Sequence, residues 1–330
     1  MKLLQRFFSS ALLIGGLIYL LFYTPAFCFD FVVFLLIGAA LFEFFTLLRQ
    51  HGTPSYRFFG VSIGLVIPLV VSMEQGMTHS GEVLFLVLAC LFLFLLQFSR
   101  KNNEDALVGI SMTLFGILYV SWFSSFLIKM RYLPGGEIWV AYLIAVTKAG
   151  DIGAYVFGSL FGRHGLIPHV SPKKSIEGTL GGLALSMLAS WGMRPYLPMP
   201  FGVAHVLILG VIIGVVAQIG DLSESLMKRF CHAKDSGSLL PGMGGILDVA
   251  DSILFTAPIF IFISKYLSHD FSAKNRQRFG FYRLRGAKYP SGGAGKHSSF
   301  SCHGPCRGHK KRCAGRADTR IFPPGGVFGG

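Results

Sequence analysis

Two acidic clusters in the second half of the chain are spaced like side chains that act together. Asp221, Glu224, Ser225 and Lys228 recur at intervals of three and four, so on a helix Asp221 and Ser225 share a face, with Lys228 near Glu224 and Ser225. Asp248 and Asp251 stand one turn apart. Carboxylates that close repel unless a cation lies between them. Oxygen ligands with phosphate as the implied co-ligand fit Mg²⁺ better than zinc. Asp151 follows Lys148 by three residues in an otherwise apolar stretch. It fits an ion pair over one helical turn or, as expected of an ionisable group at membrane depth, a carboxylate facing a hydrated cavity. The candidate metal ligands are thus Asp151, Asp221, Asp248 and Asp251, with solvated helix ends as the plain alternative.

The cations that would accompany them lie in two polar segments. Ser171, Lys173, Lys174 and Ser175 bring two ammonium groups and two hydroxyls to a loop that enters a helix near Thr179. Lys228, Arg229 and Lys234 do the same in the segment 223–245, where Gly242, Gly244 and Gly245 let backbone N–H groups approach an anion. Carboxylate, metal and lysine around glycine-rich turns form a phosphate-handling combination, because phosphoryl transfer depends mostly on positioning and charge neutralisation. No Walker A motif is present, so a P-loop fold is not supported. Each lysine taken alone also fits a membrane anchor. His164, His169, Cys231 and His232 read as loop residues.

The elements that must position these groups are apolar. Of 330 residues 52% are hydrophobic and 14% charged, and the mean hydropathy is +0.58. Those values exclude an ordinary soluble domain and predict an all-α, polytopic membrane bundle. Nine candidate spans are predicted at 7–23, 29–48, 58–73, 83–98, 106–128, 139–160, 179–191, 204–219 and 249–267. The seventh is short and interrupted by glycine, which leaves eight to nine transmembrane helices. The first is read as a span, since no small-residue cleavage site follows its apolar run.

With the N-terminus inside, Arg49, Arg57, Arg163, Lys173, Lys174, Lys228, Arg229 and Lys234 fall on the inner side. Lys129, Arg131 and Arg194 fall outside. The asymmetry places both polar segments at the cytoplasmic face. No disulfide framework is implied by the six cysteines.

The chain divides into N-terminal helices (1–135), a region carrying the motifs (136–268) and a basic tail (269–330). From Phe271 onward lie 13 of the 30 Lys/Arg, one acid and 12 glycines. Such a segment buries too little apolar surface to offset its ordering entropy, so disorder is expected. A headgroup or nucleic-acid contact, a non-native extension and a solvated end are its open alternatives. Its Cys302, His303, Cys306, His309 and Cys313 match no standard zinc spacing.

Ser225-Leu-Met-Lys228-Arg229, then Lys234-Asp235, then Leu240-Pro-Gly-Met243-Gly244-Gly245-Ile-Leu-Asp248-Val249-Ala-Asp251 resembles the signature of the phosphatidate cytidylyltransferase family. Gly150-Asp151-Ile-Gly-Ala-Tyr155 and Ser171-Pro-Lys173-Lys174-Ser175-Ile-Glu177-Gly178 are similar to its companion motifs, in the same order. The resemblance is strongest over 140–265. The family usually has His where this chain has Met243 and Arg where it has Val249.

The resemblance implies a bacterial inner-membrane enzyme that joins CTP and phosphatidic acid into CDP-diacylglycerol and pyrophosphate with Mg²⁺. Lys228, Arg229, Lys234 and Asp235 would be catalytic. Ser171, Lys173, Lys174, Ser175, Glu177, Ser225, Gly244 and Gly245 would bind substrate. A homodimer is compatible with it, and no nucleic-acid partner is expected. Two other readings use similar residues: a CTP-dependent kinase of a polyprenol-type lipid, and an anion transporter, although no internal repeat is evident.

Overall fold

The computed structural model describes residues 14–74, 80–99, 104–199, 201–237, 239 and 244–264. The expectations for the tail, for Gly242 and Met243, and for residues 7–13 of the first span lie outside the described residues.

Backbone groups in hydrocarbon have no water to bond, so apolar runs of this length close their hydrogen bonds internally as helices. Residues 14–22 form α1. Then follow α2 (Ala26–His51), α3 (Arg57–Met73), α4 (Ser80–Phe98), α5 (Ala106–Gly116), a π-helical turn (Ile117–Trp122), α6 (Phe123–Arg131), α7 (Gly136–Phe161), α8 (Ile176–Met193) and α9 (Val203–Phe230). The last described helix, α10, is Ile246–Ser264. Helix occupies each predicted span over nearly all its described residues.

Six of these stretches are long and apolar enough to cross a membrane: α2, α4, the continuous run Ala106–Arg131, α7, α9 and α10. The shorter α3 has 17 residues. Phe31, Leu35, Phe58, Leu84, Leu95 and Ile208 are exposed on the bundle's outside, where lipid would be their solvent. The protein is a polytopic membrane helical bundle.

Two differences from the sequence reading bear on the site. First, α9 continues eleven residues past the end of the apolar window at 219, so Asp221 to Arg229 ride on a helix rather than in a loop. Hydropathy reports fit to lipid, whereas the helix is set by backbone bonding. Second, the loop before α8 holds a short antiparallel hairpin, β1 (Gly165–Ile167) with β2 (Ser171–Ser175), in an otherwise helical protein.

One ion pair is buried deep between α4 and α6. Glu82 of α4 and Lys129 of α6, only 2% and 4% exposed, meet at 2.5 Å, and Trp122 Nε1 donates to the same carboxylate at 2.9 Å. Lys129, expected in an outer loop, is therefore a buried partner of a neighbouring helix. The main core runs from Phe29, Leu41 and Phe45 through Ile117 to Val140, Leu143, Ile213 and Leu254, and Tyr56, Leu93 and Ile110 form a smaller one.

Close helix contacts set the geometry of the second half. On α7 and α8, a Cβ at Gly153 would stand 2.7 Å from Gly181 O, and one at Gly182 2.9 Å from Gly150 O. Small residues allow this approach, as is usual where helices pack within lipid. On α9 a Cβ at Gly220 would stand 2.6 Å from Asp251 O of α10. That contact draws together the helices carrying the two acidic clusters.

Candidate active site

Gly220 immediately precedes Asp221, so its close contact with α10 carries the acidic face of α9 onto Asp251. One carboxylate oxygen from each of Asp221, Glu224 and Asp251 lies within 4.8 Å of the others. Glu224 and Asp251 are 1% and 7% exposed, while Asp221 opens to the surface.

The two acids one turn apart on α10 have different surroundings. Asp248 Oδ1 accepts from Lys228 Nζ at 2.7 Å. Its Oδ2 accepts from the backbone N–H of Ser236 at 3.0 Å and of Gly245 at 2.7 Å. Asp248 is the third residue of α10 and reaches back to the residue before its first turn, as the acidic partner of a capping box does. Gly244, at φ +95°, makes the turn, and a Cβ there would stand 2.6 Å from Asp248 Oδ2.

Glu43 of α2 completes this start. It is 4% exposed, and its Oε2 accepts from Leu247 N–H at 3.0 Å and from Ser236 Oγ at 3.5 Å. It thereby satisfies one of the N–H groups that the first turn leaves open. Nothing in local sequence marks Glu43, since its partners lie about 200 residues away; the one available signal was an acid inside an apolar span. Glu43→Leu would leave a buried N–H without an acceptor and is expected to cost about 1–3 kcal/mol of stability. Glu43→Gln keeps an acceptor and should melt near the wild type. Thermal unfolding of the detergent-solubilised variants checks both expectations.

Lys228, in the last turn of α9, also stands 2.6 Å from Glu224 Oε2 and so bridges Glu224 and Asp248. Lys174 of β2 meets Asp221 at 2.7 Å, which brings the hairpin to the cluster. Lys148 donates to Asp151 Oδ2 at 3.0 Å, to Ser252 Oγ at 3.0 Å and to Val249 O at 3.1 Å. Ser252 Oγ in turn donates to Asp151 at 3.1 Å. Asp151 is thus joined to the residue next to Asp251 but is not one of the three converging acids. Val249, at a position where the family usually has Arg, enters this network through its carbonyl.

The other predicted site residues fall around this centre. Ser175 caps α8, its Oγ accepting from Gly178 N–H at 3.1 Å. Glu177 binds His164 Nδ1 at 2.6 Å and the N–H groups of Arg163 and His164 at 3.1 and 3.3 Å. The His164 contact leads in holding its carboxyl down at about 2, below its ordinary 4.5. His164, read as a solvated loop residue, thereby ties the hairpin to α8.

Arg229 Nε donates to Val170 O at 3.3 Å. Lys173, Lys234 and Asp235 are exposed, while Ser171 and Ser225 are half-buried. Burial pushes the Cys231 thiol up from its ordinary value, which makes it a poor nucleophile.

The donor set fits a divalent cation. Glu224 is buried, yet its Oε1 has no hydrogen-bond partner and its Oε2 meets only the Lys228 ammonium. Around the cluster, Lys148, Lys174 and Lys228 face Asp151, Asp221, Glu224, Asp248 and Asp251. Counted as fully ionised, the five carboxylates exceed the three cations by two charges, in a region where burying charge is costly.

Fold and site together define a polytopic membrane protein in which lysines of two segments meet a cluster of carboxylates. Residues 4–267 match the cytidylyltransferase family, and the chain belongs to that family. It is a nucleotidyltransferase.

Among its relatives is a phosphatidate cytidylyltransferase of Synechocystis, 32% identical over 263 residues, covering 70% of this chain and 86% of the relative. A phosphatidate cytidylyltransferase of Staphylococcus epidermidis is 31% identical over 254 residues, covering 76% and 92%. The uncharacterized protein YnbB of Escherichia coli is 33% identical over 229 residues, covering 69% and 76%.

Proposed function

We infer that this protein transfers the cytidylyl group of CTP to phosphatidic acid, releasing pyrophosphate and leaving CDP-diacylglycerol in the membrane. The observation that carries the reading is the meeting of two cationic segments at one acidic cluster, through Lys174 with Asp221 and Lys228 with Asp248. The phosphatidate cytidylyltransferases among its relatives support the choice of lipid.

In this reading, an oxygen of the lipid phosphate attacks the α-phosphorus of CTP. The bond from that phosphorus to the bridging oxygen breaks, and the electron pair leaves with pyrophosphate. The nucleophile is already an anion at neutral pH, so no strong general base is required. Lys173, Lys174, Lys228 and Arg229 neutralise phosphate charge and align the two anions, which otherwise repel.

Asp221, Glu224 and Asp251 would hold Mg²⁺, whose charge offsets that of the triphosphate. Lys228 keeps Glu224 and Asp248 in place while facing the substrate. The basic residues of the inner segments favour a cytoplasmic site in a bacterial inner membrane, where CTP and lipid meet.

The test is the fate of label from CTP in membranes containing the purified protein, Mg²⁺ and phosphatidic acid. Label in the α-phosphate should enter the lipid, and label in the γ-phosphate should appear in pyrophosphate. Lipid labelled from the γ-position would indicate a CTP-dependent kinase. Label that crosses the membrane without chemistry would indicate a transporter. Chelation with EDTA should stop the transfer.

A further inference from the structure

The one π-helical turn among the described residues interrupts the run Ala106–Arg131 at Ile117–Trp122 and carries Tyr119. Such turns are rare and occur often at functional sites. Tyr119 is 1% exposed, and its hydroxyl has no hydrogen-bond partner. A buried donor without an acceptor is uncommon enough to require an explanation.

Its ring lies 5.6 Å from that of Phe255 and stacks on Phe115 at 5.4 Å. Phe255 is four residues beyond Asp251 on α10, hence on the same face. The Tyr119 ring therefore packs against the residue one turn from Asp251, and its phenol lies within electrostatic reach of Glu224, Asp251 and Asp221.

We propose that Tyr119 is a positioning residue for the cation site, its hydroxyl donating to an oxygen in the coordination shell between Asp221, Glu224 and Asp251. That oxygen is a cation-bound water, since no oxygen of the protein lies within hydrogen-bond distance of the hydroxyl. The inference rests on reading those three acids as a divalent-cation site. It explains why a tyrosine, rather than a phenylalanine like its neighbours, occupies this apolar position. A neutral donor orders water oxygens without competing with the cation for charge, as groups behind metal ligands commonly do.

The test uses the full chain in detergent with Mn²⁺ as the probe and no nucleotide, following free Mn²⁺ by electron paramagnetic resonance. Tyr119→Phe keeps the ring packing and is expected to weaken Mn²⁺ binding about 10–100-fold. In EDTA its unfolding midpoint should equal or exceed that of the wild type, because the protein alone offers the hydroxyl no partner.

Wild-type Mn²⁺ affinity in Tyr119→Phe, with binding lost in Asp251→Asn, overturns the role of the tyrosine alone. Wild-type affinity in both variants overturns the cation reading and this inference with it. A clearly lower midpoint of Tyr119→Phe in EDTA also overturns it, since the hydroxyl would then be bonded within the protein.

Discussion

Asp251→Asn is expected to lower cytidylyl transfer by about 10²–10³-fold, the usual scale for removing one preorganised charge-stabilising group. The substitution is close to isosteric, and the Asn oxygen can still accept from Ser252 N–H, a bond Asp251 makes at 2.5 Å. What it removes is one negative charge from three that converge. In EDTA the variant should therefore be at least as stable as the wild type, because repulsion is relieved. With cation added, the wild type should gain about 2.7 kcal/mol at a hundredfold excess over its dissociation constant, and the variant little. Melting curves with and without Mg²⁺, beside CTP turnover, read both effects. Full activity together with an undiminished Mg²⁺ shift in Asp251→Asn would remove Asp251 from the site.

Lys228→Met should be both inactive and unstable. Its ammonium bridges Glu224, which is buried, and Asp248, which fixes the start of α10. Removing one partner of a buried charge pair typically costs about 3–5 kcal/mol, since the other charge is left without compensation. The double change Lys228→Met with Asp248→Asn should recover part of the stability and none of the activity. Arg229→Met is the contrast, because Arg229 is exposed and makes one long bond to a backbone carbonyl. It should change stability by no more than about 0.5 kcal/mol. A Lys228→Met protein as stable as Arg229→Met would show that the bridge does not hold the site together.

Much of the bundle was legible because lipid leaves the backbone few options. An apolar run of span length must close its own hydrogen bonds, so the positions of the helices followed from hydropathy alone. Hydropathy failed where a helix leaves the apolar environment: α9 runs on to Phe230 carrying Asp221, Glu224 and Lys228. The spacing of three and four in that segment already fitted a helix, and was the better guide. The hairpin before α8 has too few residues to give a readable alternation.

At the site, local spacing identified which residues were near one another but not what each one touches. Asp248 and Asp251 are one turn apart, yet Asp248 bonds Lys228 and two backbone N–H groups, while Asp251 joins Asp221 and Glu224. Glu224 was visible on the face of α9 but was not chosen as a metal ligand. Burial distinguishes it, and burial is a property of neighbours. Ser175 and Glu177 matched a substrate loop by pattern, and in the structure each also has local work, as the α8 cap and the tie to His164.

The sequence by itself determined the helices over most of their length, the sign of each charge and the chemistry those charges suit, because these depend on residue type and short-range periodicity. The tertiary structure decided which charges meet. Gly220 lets α9 close on α10 so that three carboxylates converge, and Glu43 reaches from α2 to cap the helix that carries Asp248 and Asp251. Those contacts join residues up to about 200 positions apart, and they form only when the helices of the bundle pack together. Short-range spacing holds no information about them.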